Sequence, residues 1–187
     1  MKIKPIVSLC KNSKTVRFYK NQNVQWIGDG FSMYPLNNMP ELTKQLFCEL
    51  YDISDKQAAK ISFFDAEWPV KIKVEDSISD ESQVEMLNIN LVYGGKEYIP
   101  FKGEEGIFYI DRAYLGPISD LDYDMVYFFE RGTDRFKYLV VKNGFNVIGV
   151  ILPKDGIITS VFCAELMEIA ELSNVRRSNL TKKEGNA

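Results

Sequence analysis

Short runs of apolar residues, broken by polar turns, mark the first 36 positions as a β-meander. Pro5–Cys10, Thr15–Lys20, Val24–Ile27 and Phe31–Leu36 are rich in β-branched and aromatic residues. Between them stand "KNSK", "KNQN" and "GDG", and Asp29-Gly30 supplies the positive φ of a tight hairpin. After "YPLNNMPE" the period changes. Leu42, Leu46, Phe47, Leu50 and Ile53 recur at three- and four-residue spacing, which predicts a helix over Pro40–Tyr51 with Asn38 as its N-cap. Ser54–Lys60 adds a further turn.

Strand patterns then return. Ile61–Phe64 is a predicted strand, and Lys71–Val74 begins as one before "EDSISDE" turns acidic and predicts an exposed loop around Asp76–Ser82. Val84–Tyr93 and Lys96–Phe101 pair through the glycines of "YGGKEY", and Asn143-Gly144 marks a hairpin between Lys137–Val141 and Asn146–Leu152. Ile107–Ile110 leads into a short helix capped by Asp111 and curtailed by Gly116 and Pro117, with Tyr114, Leu115 and Ile118 on one face. Met125–Phe129 follows. Ser160–Leu172 has helical periodicity, with Leu166 on the stripe expected to face the core. The expected organisation is one α+β domain over 1–172, built of antiparallel β-sheets with two to three helices, and a polar, fraying tail over 173–187. One internal echo is visible. "YKNQNV", "YPL" and "LFCEL" are followed later by "VKNGFNV", "ILP" and "VFCAEL".

Composition narrows the chemistry. The 187 residues contain no histidine, which removes the commonest general base and transition-metal ligand. Ser-His-Asp and Cys-His catalysis within one chain are thereby excluded. Cys10, Cys48 and Cys163 lie far apart and have no CxxC spacing, so a reducing, cytoplasmic setting is expected. The net charge of −3 gives no general attraction to nucleic acid or anionic membrane. No stretch approaches a membrane span in length, and no secretory signal pattern opens the sequence.

Candidate motifs fail on spacing. Asp120, Asp122 and Asp124 alternate like the start of a calcium loop, but the sixth and twelfth positions are Met125 and Arg131 where glycine and glutamate are needed. No glycine-rich phosphate cradle is present. Asp65 and Glu67 read as a chance carboxylate pair, and Cys48 and Cys163 as helical-stripe residues without an activating base. No catalytic residue, cofactor or metal is therefore expected. Adjacent aromatics such as Phe18-Tyr19, Phe63-Phe64 and Tyr127–Phe129 point to opposite faces of their strands. One of each pair must meet a second packed layer or a partner.

The stretch "FYIDRAYLGPISDLDYDMVYFF…LVVKNG…VIGVILP" resembles the second half of a DNA sliding-clamp domain, the polymerase processivity ring. Residues 31–153 can be read as two successive β-α-β-β-β units, the layout of such a domain. The resemblance implies a non-catalytic protein that binds a replication protein and holds DNA through an oligomeric ring. Helix residues would then meet phosphates, and Lys44, Lys56, Lys60 and Arg112 are the candidates. The chain departs from that pattern in its acidic first helix, with Glu41, Glu49 and Asp52. "VQWIGDGFSMYPL" is also similar to small phage and prophage proteins of Gram-positive bacteria. That resemblance implies an accessory protein of phage replication, or alternatively one that binds and inhibits a host factor without touching DNA.

Overall fold

Ile3, Ile6, Val7 and Cys10 recur at helical spacing, and this period prevails over the strand that their β-branched neighbours suggest. In the computed structural model, which describes residues 1–122, 125–133, 135–154, 156, 157, 159 and 161–172, Ile3–Ser13 is a helix, α1. The strand expected over Pro5–Cys10 is thus corrected. Pro5 is tolerated because it lies in the first turn, where an N–H has no intrahelical acceptor. Lys14 ends the helix in the left-handed conformation, φ 55°. Ile6, Val7, Leu9 and Cys10 are buried beneath α1, each large side chain contributing about 1.5–3 kcal/mol on transfer from water.

The fold is mixed α+β with mainly antiparallel sheets. Strands β1 (Thr15–Asn21), β2 (Val24–Gly28), β3 (Ser32–Pro35), β4 (Ser62–Ala66), β5 (Glu81–Gln83), β10 (Val126–Thr133), β11 (Phe136–Asn143) and β12 (Asn146–Ile151) form one sheet. Its order is β4-β1-β2-β3-β12-β11-β10-β5, and β1–β4 is its parallel pair. A smaller sheet holds β6 (Glu85–Met86), β7 (Leu91–Tyr93), β8 (Lys96–Gly103) and β9 (Gly106–Asp111), with β8 central. The single strand expected over Val84–Tyr93 is split into β6 and β7. Gly94 and Gly95 both take positive φ, 58° and 76°, as a two-residue hairpin between Tyr93 and Lys96 requires.

Neighbouring aromatics do serve two faces of the large sheet. Phe18 belongs to the cluster with α1 and Phe47, whereas Tyr19 belongs to the cluster of Trp26, Tyr138 and Ile72 on the other side. Phe128 and Phe129 divide in the same way. The layer over the second face is the irregular segment around Trp68–Val74, so the strand expected at Lys71–Val74 is not formed.

The helix expected over Pro40–Tyr51 is shorter. Helix α2 spans Lys44–Leu50, and its N-cap is Thr43, whose side chain accepts from the Leu46 N–H at 3.2 Å. Asn38 instead occupies a turn with φ 60°. The cause is tertiary. The Gln25 side-chain amide accepts from the Leu42 N–H and donates to the Leu42 carbonyl, both at 2.8 Å, holding that stretch out of the helix. A further helical turn, α3, covers Asp55–Ala58. Arg112–Ile118 is a 3-10 helix, and the Asp111 carboxylate caps it by accepting from the Ala113 N–H at 3.0 Å.

The chain order β9, 3-10 helix, β10, β11, β12 matches the expected β-α-β-β-β sequence. The pairing does not repeat it. β9 lies in the small sheet while β10–β12 lie in the large one. In the first half, β3 pairs with β2 and β12, whereas β4 pairs with β1.

Two units divide the chain, Met1–Lys154 and Asp155–Ala187. In the second, residues 161–172 form a helix, α4. Leu166 was expected to face the core, yet it is 39% exposed and Met167, Ile169 and Leu172 are more so. Periodicity specifies a helix and its apolar face but not what covers that face. Leu166→Asp is accordingly expected to change stability by less than about 0.5 kcal/mol. Urea denaturation checks this, and a lost transition would show that Leu166 is packed. The expected tail, 173–187, lies outside the described residues.

Candidate functional site

Two hairpins carry asparagine to one end of the large sheet. The β1–β2 turn is Gln22-Asn23, closed by the Asn21–Val24 pair. The β11–β12 turn is Gly144-Phe145, closed by Asn143–Asn146. These are the two segments of the sequence echo. Antiparallel alternation brings the end of β3, with Asn37 and Asn38, to the same end. Together with Val74–Asp76 they line a groove of about 970 Å³. Carboxamides dominate its surface. Its charged lining is Lys20, Glu41, Glu75 and Asp76, and Lys20 already pairs with Glu41 at 3.2 Å. The uncommitted charges, Glu75 and Asp76, are both exposed and enter no ion pair among the described residues.

The acidic wall is held through its backbone. Arg131 on β10 is fully buried. Its Nη1 donates to the Lys73 carbonyl at 2.9 Å and its Nη2 to the Glu75 carbonyl at 2.8 Å. The same guanidinium grips Glu81 through Nε at 2.8 Å and Nη2 at 2.5 Å. Lys142 on β11 donates to the Asp76 carbonyl at 2.6 Å and to Glu81 at 2.7 Å, and its ammonium lies 4.1 Å from the Phe129 ring centroid. Two buried cations thus spend their donors on one carboxylate and three main-chain carbonyls, as buried charges must. The Glu75 and Asp76 side chains are left to the solvent.

Burial alone would raise the Glu81 pKa. The hydrogen bonds and charges of Lys142 and Arg131 outweigh it and hold the carboxyl below the ordinary glutamate value of 4.5. A depressed folded-state pKa gives stability that is present above the unfolded value and lost as pH falls through the folded one. Thermal midpoints are therefore expected to drop with acidification below about pH 4.5. Glu81→Gln should flatten that limb while lowering stability at neutral pH. An unaltered acid limb in the variant would contradict this coupling.

The residues that the clamp resemblance singled out lie elsewhere. Lys44 opens α2 with its ammonium 5.2 Å from the Phe63 ring centroid. Lys56 is on α3 and Lys60 just after it, both exposed. Over residues 44–60 these three lysines are balanced by Glu49, Asp52 and Asp55, so the segment carries no net positive charge. Arg112 opens the 3-10 helix and pairs with Glu97 at 3.5 Å. None of the four lines the groove.

Comparisons with protein-family models, curated proteins and solved structures found no match.

Other chemistry is sparse. Burial, with the charge of Asp29 adding to it, pushes the Cys10 thiol up to about 12, so it stays protonated at neutral pH. Cys163, expected on a packed stripe, is exposed. No cluster of three or more Cys, Asp or Glu among the described residues is placed to hold a metal. Of the aspartate run, Asp124 lies outside the described residues. No described helix is long and apolar enough to cross a membrane. The sequence reading missed the groove and its two cations. The signals were the repeated "KN…N" hairpins and the charges embedded in the strand patterns "FFERGT" and "LVVKNG".

Proposed function

We propose that the protein is a non-catalytic binding protein whose groove takes an extended, basic segment of a protein partner. The observation that carries this reading is the groove's lining. It is rich in carboxamides, which hydrogen-bond main-chain groups without demanding a charge, and its free charges are Glu75 and Asp76. Such a surface attracts lysine- and arginine-bearing segments and repels phosphate. In the phage setting that the sequence resembles, a replication protein or a host factor would supply the segment. The lack of histidine and the protonated Cys10 are consistent with a role without catalysis. Encirclement of DNA draws less support, because Lys44, Lys56 and Lys60 are balanced by neighbouring carboxylates and Arg112 is paired.

The test is affinity capture with the parent chain and a Glu75→Lys/Asp76→Lys variant of native circular dichroism. A partner retained by the parent and lost by the variant is expected. Retention of circular DNA by the parent at physiological salt, insensitive to the groove variant, would instead favour the ring.

A further inference from the structure

Arg17 stands on β1 opposite Gly28, half-buried, with its guanidinium carbon 5.1 Å from the Phe64 ring centroid. It makes no ion pair among the described residues. Its Nε is the one buried side-chain nitrogen or oxygen among them without a hydrogen-bond partner. A buried donor left unmatched calls for an explanation. Its burial has a local cause. Gly30, at φ +97°, brings the β2–β3 turn so close that a Cβ there would lie 3.3 Å from Nε.

Beside Arg17 is a cleft of about 400 Å³, within the range of small-ligand sites, which shares no lining residue with the groove. Tyr19, Phe31, Trp68 and Phe136 line it, together with Met33 and Val150. The Trp68 wall is fixed in advance. Its Nε1 donates to the Ile72 carbonyl at 2.9 Å, and its ring meets Tyr19 and Trp26 edge-on, with centroids 6.2 and 5.4 Å away. Phe31 is 54% exposed, an apolar ring left to water at the cleft. The cleft's carboxylate, Glu67, is exposed and screened by water, whereas the Arg17 charge is half-buried.

The geometry points to a binding site for a small molecule with a flat apolar body and a single carboxylate. The body is held among the aromatic side chains, and the carboxylate meets the Arg17 guanidinium, which lines the cleft. Guanidinium geometry suits a carboxylate, which it can bind through two parallel N–H groups.

Calorimetric titration of the full chain with 1-naphthaleneacetate, 1-naphthaleneethanol and 1-naphthylmethylamine tests this site. Saturable binding is expected in the order acetate, alcohol, amine. Arg17→Gln should weaken the acetate roughly ten- to a hundredfold, the range of a charge-assisted hydrogen bond, and leave the alcohol unchanged. Phe31→Ala removes an exposed ring without threatening the fold and should weaken acetate and alcohol alike. If Arg17→Gln fails to fold, the three-probe order and Phe31→Ala still decide. The proposal is overturned by absent binding of the acetate, by an amine that binds as tightly, by a folded Arg17→Gln with undiminished acetate affinity, or by indifference to Phe31→Ala.

Discussion

Arg131→Met should melt roughly 10 °C below the parent chain. The substitution keeps an apolar stem of similar length but removes every donor. The Glu75 carbonyl loses its partner, the Lys73 carbonyl keeps only the long 3.5 Å bond from the Tyr138 hydroxyl, and Glu81 retains Lys142 alone. Breaking a buried pair from one side costs about 3–5 kcal/mol, because the remaining groups stay desolvated and unmatched. For a chain of this size each kcal/mol shifts the midpoint by roughly 2–4 °C. Protease cleavage within Lys73–Asp80 should accelerate in parallel, since the cations fix that segment to the sheet. Replacing Glu81 by methionine in the same chain should not rescue it, since the buried Lys142 ammonium then loses its carboxylate. A midpoint within about 2 °C of the parent would show that water satisfies those carbonyls and that Arg131 is dispensable.

Phe47→Ala should be comparably damaging through a different cause. Phe47 is fully buried on α2. Its ring meets Tyr51 at 5.1 Å and Phe18 and Phe63 at 6.0 Å between centroids, all edge-on. Truncation removes the transfer energy of the ring and leaves a cavity among three aromatics, a loss of about 3–5 kcal/mol. Denaturant unfolding measures it. A loss under about 1 kcal/mol would mean that α2 closes over the gap or is not packed as described.

Local signals were the legible ones. Asp111 caps its helix as its sequence position predicts, and the Gly94-Gly95 hairpin forms where expected. The α+β class followed from the same alternation of periods. Where competing local signals met, the sequence reading erred. In α1 the strand-like content of "IVSLC" concealed a helical period that was present. At α2 the early start failed because Gln25, 17 positions upstream of Leu42, captures its peptide groups. No local pattern encodes that bond. The groove was hidden for the same reason, being assembled from the β1–β2 hairpin, the end of β3, Val74–Asp76 and the β11–β12 hairpin. The Arg131–Glu81 contact spans 50 positions, and only the β5–β10 register brings the two together. In α4 the apolar face was readable, but its exposure was not.

The most direct measurement of the central claim is photo-crosslinking from inside the groove. A p-benzoylphenylalanine at position 37, exposed at the end of β3, is compared with one at position 56, exposed on α3. The account predicts that position 37 alone crosslinks a single partner, that the joined peptide is rich in lysine and arginine, and that Glu75→Lys/Asp76→Lys abolishes the crosslink. Equal crosslinking from position 56, an acidic or apolar peptide at position 37, or a crosslink that survives the charge reversal would contradict it.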